Sequence, residues 1–453
     1  MTRLISSLRL PESVGLSLAV ISPTVTAAFN ITLVVQAAGP AAPLTFAIGM
    51  IAMALVALSF MSFSHRVAHA GSAYAYIAHT FGSRMGFIGG WALLLTYLGF
   101  ATGFAALVGS FTGAALKGFG VEIGNGWIAI GAGSMIVAWW LAYRDMRLAG
   151  RLMLALEVAA VIAIIGLCIS ILHQVQSPAG EVAASFRPSA SFGGWSGLGY
   201  GMVFSTLCFA GFEGAATLGE ETLHPRRNIP IALLGTVLFS GLFFVFVAYC
   251  EVVGYGPAGI KALASSEAPL NDLALRYATP HLAIALDLAA AASCFSGVIG
   301  GLAAAARVLF ALSRVGLSSA LAEVHPVHGT PAPAVSAAAI LMMLPFVLWA
   351  PFAGAGNYYS YVSTIAVLAL ILIYVAVGVA EMVEAWREQR RLWSGACMLG
   401  PVLLVCVLYC SIYPVPEFPS NLWPYVALAW VFAALVVMKF RPAVTNAPLP
   451  EYL

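Results

Sequence analysis

The chain has 453 residues, of which 61% are hydrophobic and only 8% charged, with a mean hydropathy of +0.96 and a formal net charge of +2. A soluble globular domain carries roughly 25% charged residues, so the composition excludes one and predicts an all-α polytopic membrane protein. No basic stripe interleaved with aromatics is present, which argues against a nucleic-acid partner.

A spanning helix needs about 20 apolar residues, and twelve segments qualify. In chain order they cover approximately 12–38, 43–64, 84–114, 125–143, 149–174, 197–221, 230–254, 281–313, 332–351, 356–383, 394–413 and 421–440. The stretches between them are too short for a soluble domain, so residues 1–453 are expected to form one membrane domain embedded in a lipid bilayer. Segment 1 follows Arg3 and Arg9 and contains Pro23, Thr24, Thr26 and Asn30, which makes it too long and too polar for a cleaved signal core. Asn30 opens an Asn-x-Thr triplet, but inside a membrane helix it is not a glycosylation site. The same segment is interrupted at Ser22-Pro23-Thr24-Val25-Thr26, where Pro23 removes a backbone donor and clashes with the preceding turn.

Segments 3 and 8 are longer than a span requires and are expected to tilt. Segment 5 is uncharged apart from Glu157, nearly two turns beyond Arg151. Segment 6 breaks at Ala210-Gly211-Phe212-Glu213 and runs into a charged loop, Glu220, Glu221, Arg226 and Arg227, closed by Pro230. A carboxylate at membrane depth beside a helix-breaking glycine is costly and marks a functional site by default. Interrupted helices persist only where the freed backbone lines a cavity or is buried in protein.

The basic residues set the orientation. With the N-terminus inside, sixteen Lys and Arg fall on the cytoplasmic side, while Lys117, Arg187, Lys261 and Arg276 fall outside. Both termini are therefore expected in the cytoplasm, and the compact loops suggest a bacterial inner membrane. The seven cysteines lie within the segments and show no CxxC, and the eight histidines have no ligand spacing. Neither a disulfide framework, a metal site nor a cofactor is expected.

Segments 1–5 (12–174) and 6–10 (197–383) form two halves whose first segments are both interrupted, with segments 11 and 12 (394–440) appended. Matching breaks in two halves of five helices point to an inverted-repeat transporter and to its binding site. The stretch GFEGAATLGEETLHPRRNIPIAL (211–233) resembles the Gly-Phe-Glu … Glu-Glu-x-x-x-Pro-x-x-x-Ile-Pro signature of the amino acid–polyamine–organocation superfamily. HAGSAYAYIAHTFG (69–82) and AARVLFALSRVGLSSALAEVHPVHGTPAPAV (305–335) resemble that family's approach to helix 3 and its loop between helices 8 and 9. The resemblance implies a five-plus-five, leucine-transporter-like fold and secondary transport of amino acids or related amines. The break in segment 1 departs from the family's usual Gly-Ser-Gly and has one amide fewer.

At a broken helix the freed N–H groups attract an anionic group and the freed carbonyls a cation. The amides of Thr24, Val25 and Thr26 are therefore candidate ligands for a substrate carboxylate, and the carbonyls around Cys208, Phe209 and Ala210 for an ammonium. Ser22, Pro23, Gly211 and Phe212 complete the two breaks, and Tyr97, Phe295, Ser296 and Tyr361 are further candidates for the cavity wall. Glu213 opens the second half of segment 6, where burial and the helix N-terminus act on its protonation in opposite senses. The resemblance adds that this position matches a proton-sensing glutamate. Glu157, with Ser293 and Ser296 opposite, is the second candidate for a coupling proton or cation, the alternative being an ion pair with a nearby arginine. Asp287 and Glu251 lie toward the outer ends of segments 8 and 7 and are expected to be hydrated or to form a gate pair.

The expected function is a proton-coupled symporter of an amino acid or small amine working by alternating access. An organic-cation or amino acid exchanger and a sodium-coupled symporter are the alternatives, and a transporter-like sensor without flux is the different class. A channel would require a repeated carbonyl filter or a ring of charges, and an enzyme would require a clustered acid, base or nucleophile. Neither pattern occurs.

Overall fold

The computed structural model describes residues 8–67, 71–144, 146–175, 184–266, 268–413, 415 and 418–444, without the side chains of 146–149. Arg3, the side chain of Arg147 and the first two residues of the 69–82 motif thus lie outside the described set. The segments fold as helices whose ends fall close to those read from the sequence. Eleven stretches are long and apolar enough to cross a membrane, and no strand occurs among the described residues.

The first stretch, Leu10–Arg66, is itself divided. Helix α1 (Leu10–Ile21) starts with the Arg9 amide donating to Glu12 Oε2 at 2.9 Å and with Pro11 in its first turn. It stops at Ser22, which sits at φ 49°, because Pro23 has no N–H with which to continue the ladder. One helical turn, Pro23–Val25, and one π turn, Thr26–Asn30, lead into α2 (Ile31–Ala38). A turn at Gly39–Ala41 then reverses the chain into α3 (Ala42–Arg66). Gly39 is at φ 55° with the Phe192 ring packed directly on it, so both conformation and space demand glycine.

Next come a short helix α4 (Ala73–Phe81), then α5 (Ser83–Gly118), α6 (Gly126–Arg144), α7 (Met146–Val175) and α8 (Trp195–Phe209). Helix α8 ends at an extended Ala210 and a Gly211 at φ 101°, and Phe212–Leu218 continues as a 3-10 helix rather than an α-helix. Helix α9 (Pro225–Ser265) runs past its expected end and kinks at Gly256, just before Pro257. The short α10 (Pro269–Tyr277) precedes α11 (Pro280–Arg314), α12 (Ala332–Ala353), α13 (Ala355–Arg387), α14 (Arg391–Ile412) and α15 (Trp423–Phe440). The short helices α4 and α10 were not expected from the sequence, since neither is long enough to show as a span.

Helix α5 has 36 residues, about 54 Å at 1.5 Å per residue, well beyond the ~30 Å of a hydrocarbon core. It packs along α11 and α13 through small residues. A Cβ at Gly301 would stand 3.1 Å from the Tyr97 carbonyl, and one at Gly99 would stand 3.1 Å from the Val362 carbonyl. Helix α9 lies along α3 with Gly241 against Met50, and α1 meets α7 where Gly15 approaches the Gly150 carbonyl. The two interrupted chains, α1–α2 and α8 with its 3-10 continuation, are enclosed by these helices. That enclosure is the condition under which broken helices are tolerated at membrane depth.

A buried carboxylate ties three helices together at one end of the bundle. Glu381 of α13 accepts from Ser62 at 2.7 Å, from Arg66 at 3.0 Å, both on α3, and from the Trp393 indole of α14 at 3.0 Å. Arg390 approaches the same carboxylate at 3.3 Å. Removing a buried charge that serves two partly exposed arginines is expected to cost about 2–3 kcal/mol. Glu381→Ala should therefore lower the thermal midpoint of the detergent-solubilised protein by several degrees. Glu384→Ala, three residues on, should leave it unchanged. Equal midpoints for the two variants would show that the cluster does not hold these helices.

Candidate functional site

The break after α1 is filled from α7. The Thr24 amide and hydroxyl both donate to Glu157 Oε1, at 2.8 and 2.9 Å. Ser293 of α11 donates to Glu157 Oε2, and its hydroxyl also meets that of Ser22 at 2.8 Å. Glu157 is 1% exposed, and no cation contacts it among the described residues. Arg151, the nearest candidate for an ion pair, engages Glu12 at 3.2 Å instead. A resident carboxylate thus occupies the positive end of the half-helix that begins at Pro23. This corrects the reading of the Thr24 and Thr26 amides as free ligands for a substrate carboxylate. The first is held by Glu157, and the second donates to the Ser22 carbonyl at 3.1 Å.

The break after α8 is closed from α1 and α13. Val20 lies so close to Gly211 that no Cβ could be accommodated there. Ser17 donates to the freed carbonyl of Phe212 at 2.6 Å and accepts from the Ala215 amide at 3.0 Å, so one hydroxyl serves both kinds of orphaned backbone group. Glu213, fully buried, accepts from the Tyr374 hydroxyl through Oε2. The Gly211 amide donates to that same hydroxyl at 3.4 Å. Tyr97 lies near the carboxylate, outside good hydrogen-bond geometry, and Glu213 Oε1 has no partner.

Between the breaks and one end of the bundle lies a polar and aromatic floor. Asn30 donates to the Tyr359 hydroxyl at 3.1 Å, and the Tyr359 ring meets Phe29 and Phe104 with centroids 5.7 and 5.9 Å apart. On the far side of Phe29 a cavity of about 860 Å³, walled by Gln36, Ser110, Trp127 and Asn357, opens toward Lys117 and Glu122. Thr26 Oγ1, Asn30 Oδ1 and Ser363 Oγ are buried without partners, as are Tyr97 Oη and Glu213 Oε1. A native structure holds few such atoms, and each calls for an explanation.

The structure brings Ser22, Pro23, Thr24, Val25 and Thr26 together with Glu157 and Ser293. It also brings Phe209, Ala210, Gly211, Phe212 and Glu213 together with Tyr97. It does not bring Tyr361 to this group. Tyr361 stacks on Trp349 at 6.0 Å and meets Trp423 at a tilt at 5.1 Å, whereas Tyr359 reaches the floor. Two residues turn a helix by about 200°, so the aromatic on the correct face is the earlier one. Ser296 bonds only the Ala292 carbonyl of its own helix, at 3.2 Å, and Phe295 is half-buried. Asp287 accepts from Asn271 of α10 at 2.6 Å, whereas Glu251 of α9 is 1% exposed with both carboxylate oxygens unpartnered among the described residues, which corrects the expectation that it is hydrated or paired. Asn30, Tyr359, Tyr374 and Ser17 were missed. For Asn30 the signal was present, since a polar residue at membrane depth is functional by default.

The opposite end is sealed. Leu8 pairs with Thr222 as an isolated bridge, its amide donating to the Glu221 carbonyl at 2.9 Å. Ser13 meets Thr222 at 3.2 Å. Arg307 grips Glu221 with two nitrogens at 2.6 and 2.9 Å, and Arg314 holds Glu220 at 2.9 Å. The acids of the charged loop thus reach arginines of α11.

The family profile described as "Amino acid permease" matches residues 14–444. The chain belongs to the amino acid permease family. Members of this family are transporters, not enzymes, and this chain is an integral membrane protein. It is similar to the branched-chain amino acid permease BcaP of Lactococcus lactis subsp. cremoris (strain MG1363), 27% identical over 71% of this chain and 72% of the relative. The low-affinity putrescine importer PlaP of Escherichia coli (strain K12) is 28% identical over 64% of this chain and 63% of the relative. Among solved structures, the Eremococcus coleocola manganese transporter superposes with a TM-score of 0.57, covering 96% of this chain and 95% of that one. At 11% identity this likeness concerns the fold alone.

Loss of one ion pair should loosen the sealed end. Glu221→Gln leaves Arg307, only 2% exposed, without its counter-charge, a cost on the order of 3 kcal/mol. With the exposed Cys406 replaced by serine, a Ser13→Cys reporter should react with a polar thiol reagent at least about tenfold faster in Glu221→Gln. Equal rates would mean that this pair does not keep the end shut.

Proposed function

We propose that the chain is a secondary transporter that moves an amino acid or small amine by alternating access, coupled to a proton. One observation carries this reading. Two interrupted helices lie side by side with unpartnered buried polar atoms, between a cavity at one end and a sealed opposite end. In this reading Thr26, Asn30, Tyr97 and Ser363 contact the substrate, and the carbonyls around Cys208, Phe209 and Ala210 take its ammonium. The turn at Gly39–Ala41 divides Leu10–Arg66 into two crossings, giving twelve in all. Residues 12–174 and 197–383 are the inverted repeats of a single domain, and 394–440 is appended. The sixteen-to-four distribution of basic residues supports cytoplasmic termini, in a bacterial inner membrane. The sealed end then faces the cytoplasm and the cavity faces outward.

Glu157 is the proposed proton carrier. As a carboxylate it accepts from three donors on α11 and the Pro23–Val25 turn. A proton on Glu157 consumes acceptor capacity and brings a donor into a cluster already made of donors. The clamp between α7, α11 and the break in α1 therefore weakens when Glu157 is neutral. Glu213, with one oxygen unpartnered, is the second candidate.

A specific observation favours an amine over an amino acid. The anion position at the start of the second half of helix 1 is already occupied by Glu157, and no unpaired cation lies between the breaks among the described residues. Two carboxylates and no free base suit a substrate with an ammonium and no carboxylate, transported as a symported or exchanged organic cation.

Uptake into proteoliposomes with a panel of labelled amino acids and polyamines tests both readings. An inward proton gradient should stimulate uptake several-fold, and Glu157→Gln should abolish the stimulation while leaving counterflow intact. Uptake that needs internal substrate and ignores the gradient would make the protein an exchanger. Absence of any flux across the panel would favour a sensor.

A further inference from the structure

A second cavity, of about 490 Å³, lies at the sealed end, outside the site described above. Its wall carries Ser313, Arg314, Gly316, Ser318, Ser319 and Arg441. We propose that it binds a phosphate-type anion, supplied by an anionic lipid headgroup or by soluble phosphate.

The donors are unsatisfied within the protein. Ser313 is 3% exposed, yet its hydroxyl has no hydrogen-bond partner. Arg441 makes no ion pair among the described residues. Arg314 stacks on the Phe310 ring at 5.6 Å and commits only Nη1 to Glu220, which leaves the rest of its fork available. Ser318 and Ser319 add two further hydroxyls to the rim. Gly316, at φ 111°, packs against Ala443 and Val444 and so holds the chain after α15 against the loop, and Arg441 and Arg314 line the same cavity.

Two guanidinium groups repel a cation and offer planar forks, while the hydroxyls offer further donors. An anion with three acceptor oxygens is the ligand that can use both. Glu220 is already on Arg314, so an arriving anion competes for that arginine. Occupancy of the cavity would therefore weaken the Glu220–Arg314 pair and ease opening of the sealed end. This binding does not depend on the transport reading.

The test uses the full chain purified in neutral detergent, with its thermal midpoint followed against inorganic phosphate at constant ionic strength. The midpoint should rise saturably in the wild type. Arg441→Gln should need about tenfold more phosphate for the same rise, the loss of one charge-assisted contact. Ser318→Ala should weaken the response without altering the starting midpoint, and Arg187→Gln, exposed at the other end, should respond as wild type. A parallel arm measures retention of phosphatidylglycerol from mixed phosphatidylcholine nanodiscs. Retention that depends on Arg441, without a phosphate response, assigns the site to a lipid headgroup. A phosphate response that depends on Arg441, without lipid retention, assigns it to a soluble anion. Identical behaviour of wild type and Arg441→Gln in both arms, or no response to either probe, would overturn the proposal.

Discussion

A helix that stops halfway across a bilayer leaves N–H and C=O groups facing hydrocarbon, each costing several kcal/mol unless something answers it. In this chain the answers are side chains from other helices. Glu157 of α7 answers the first break, while Ser17 of α1 and Tyr374 of α13 answer the second. Each of these bonds does two things. It removes an unsatisfied backbone group, and it ties an interrupted helix to another helix, uninterrupted for Glu157 and Tyr374, whereas Ser17 joins the two interrupted helices to each other. The half-helices are also packed through buried apolar side chains such as Leu16, Val20, Phe209 and Phe212, so the polar contacts at the breaks are the part that can be exchanged for a ligand's.

The two ends of the bundle are closed by different physics. At the sealed end the contacts are ion pairs and hydrogen bonds, Arg307 with Glu221, Arg314 with Glu220 and Ser13 with Thr222. Charged groups that separate are rehydrated, so a buried pair adds little net stability while fixing geometry. Such a closure can open at modest cost. At the other end the partition is aromatic, with Phe29, Phe104 and Tyr359 in edge and tilted contact. Separating those rings exposes apolar area, at about 25 cal/mol per Å², unless another apolar group takes their place.

The helices were legible because hydropathy in a membrane chain is close to a direct readout of length and burial. The breaks were legible because Pro23 and Gly211 act through their own backbones. Glu157 and Glu213 stood out because carboxylates are rare at that depth, and both lie at the breaks. What could not be read is rotational phase. Nothing local distinguishes Tyr359 from Tyr361, and only the packing of α13 on α5 turns one to the floor and the other toward α15. The occupancy of the Thr24 amide was equally hidden, because it depends on a contact across 133 positions of the chain.

The π turn at Thr26–Asn30 holds one residue more than an α turn would. That extra residue sets the angular register of everything after it, since each residue turns a helix by about 100°. Gln36, which lines the cavity beside Phe29 and reaches the Ala264 carbonyl at 2.7 Å, owes its direction to this count. A related chain that lacks the extra residue would present a different face of α2 to the cavity while keeping the same span length. Correspondence between relatives along this helix therefore has to be counted from the break on one side and from Gly39 on the other, and not straight through.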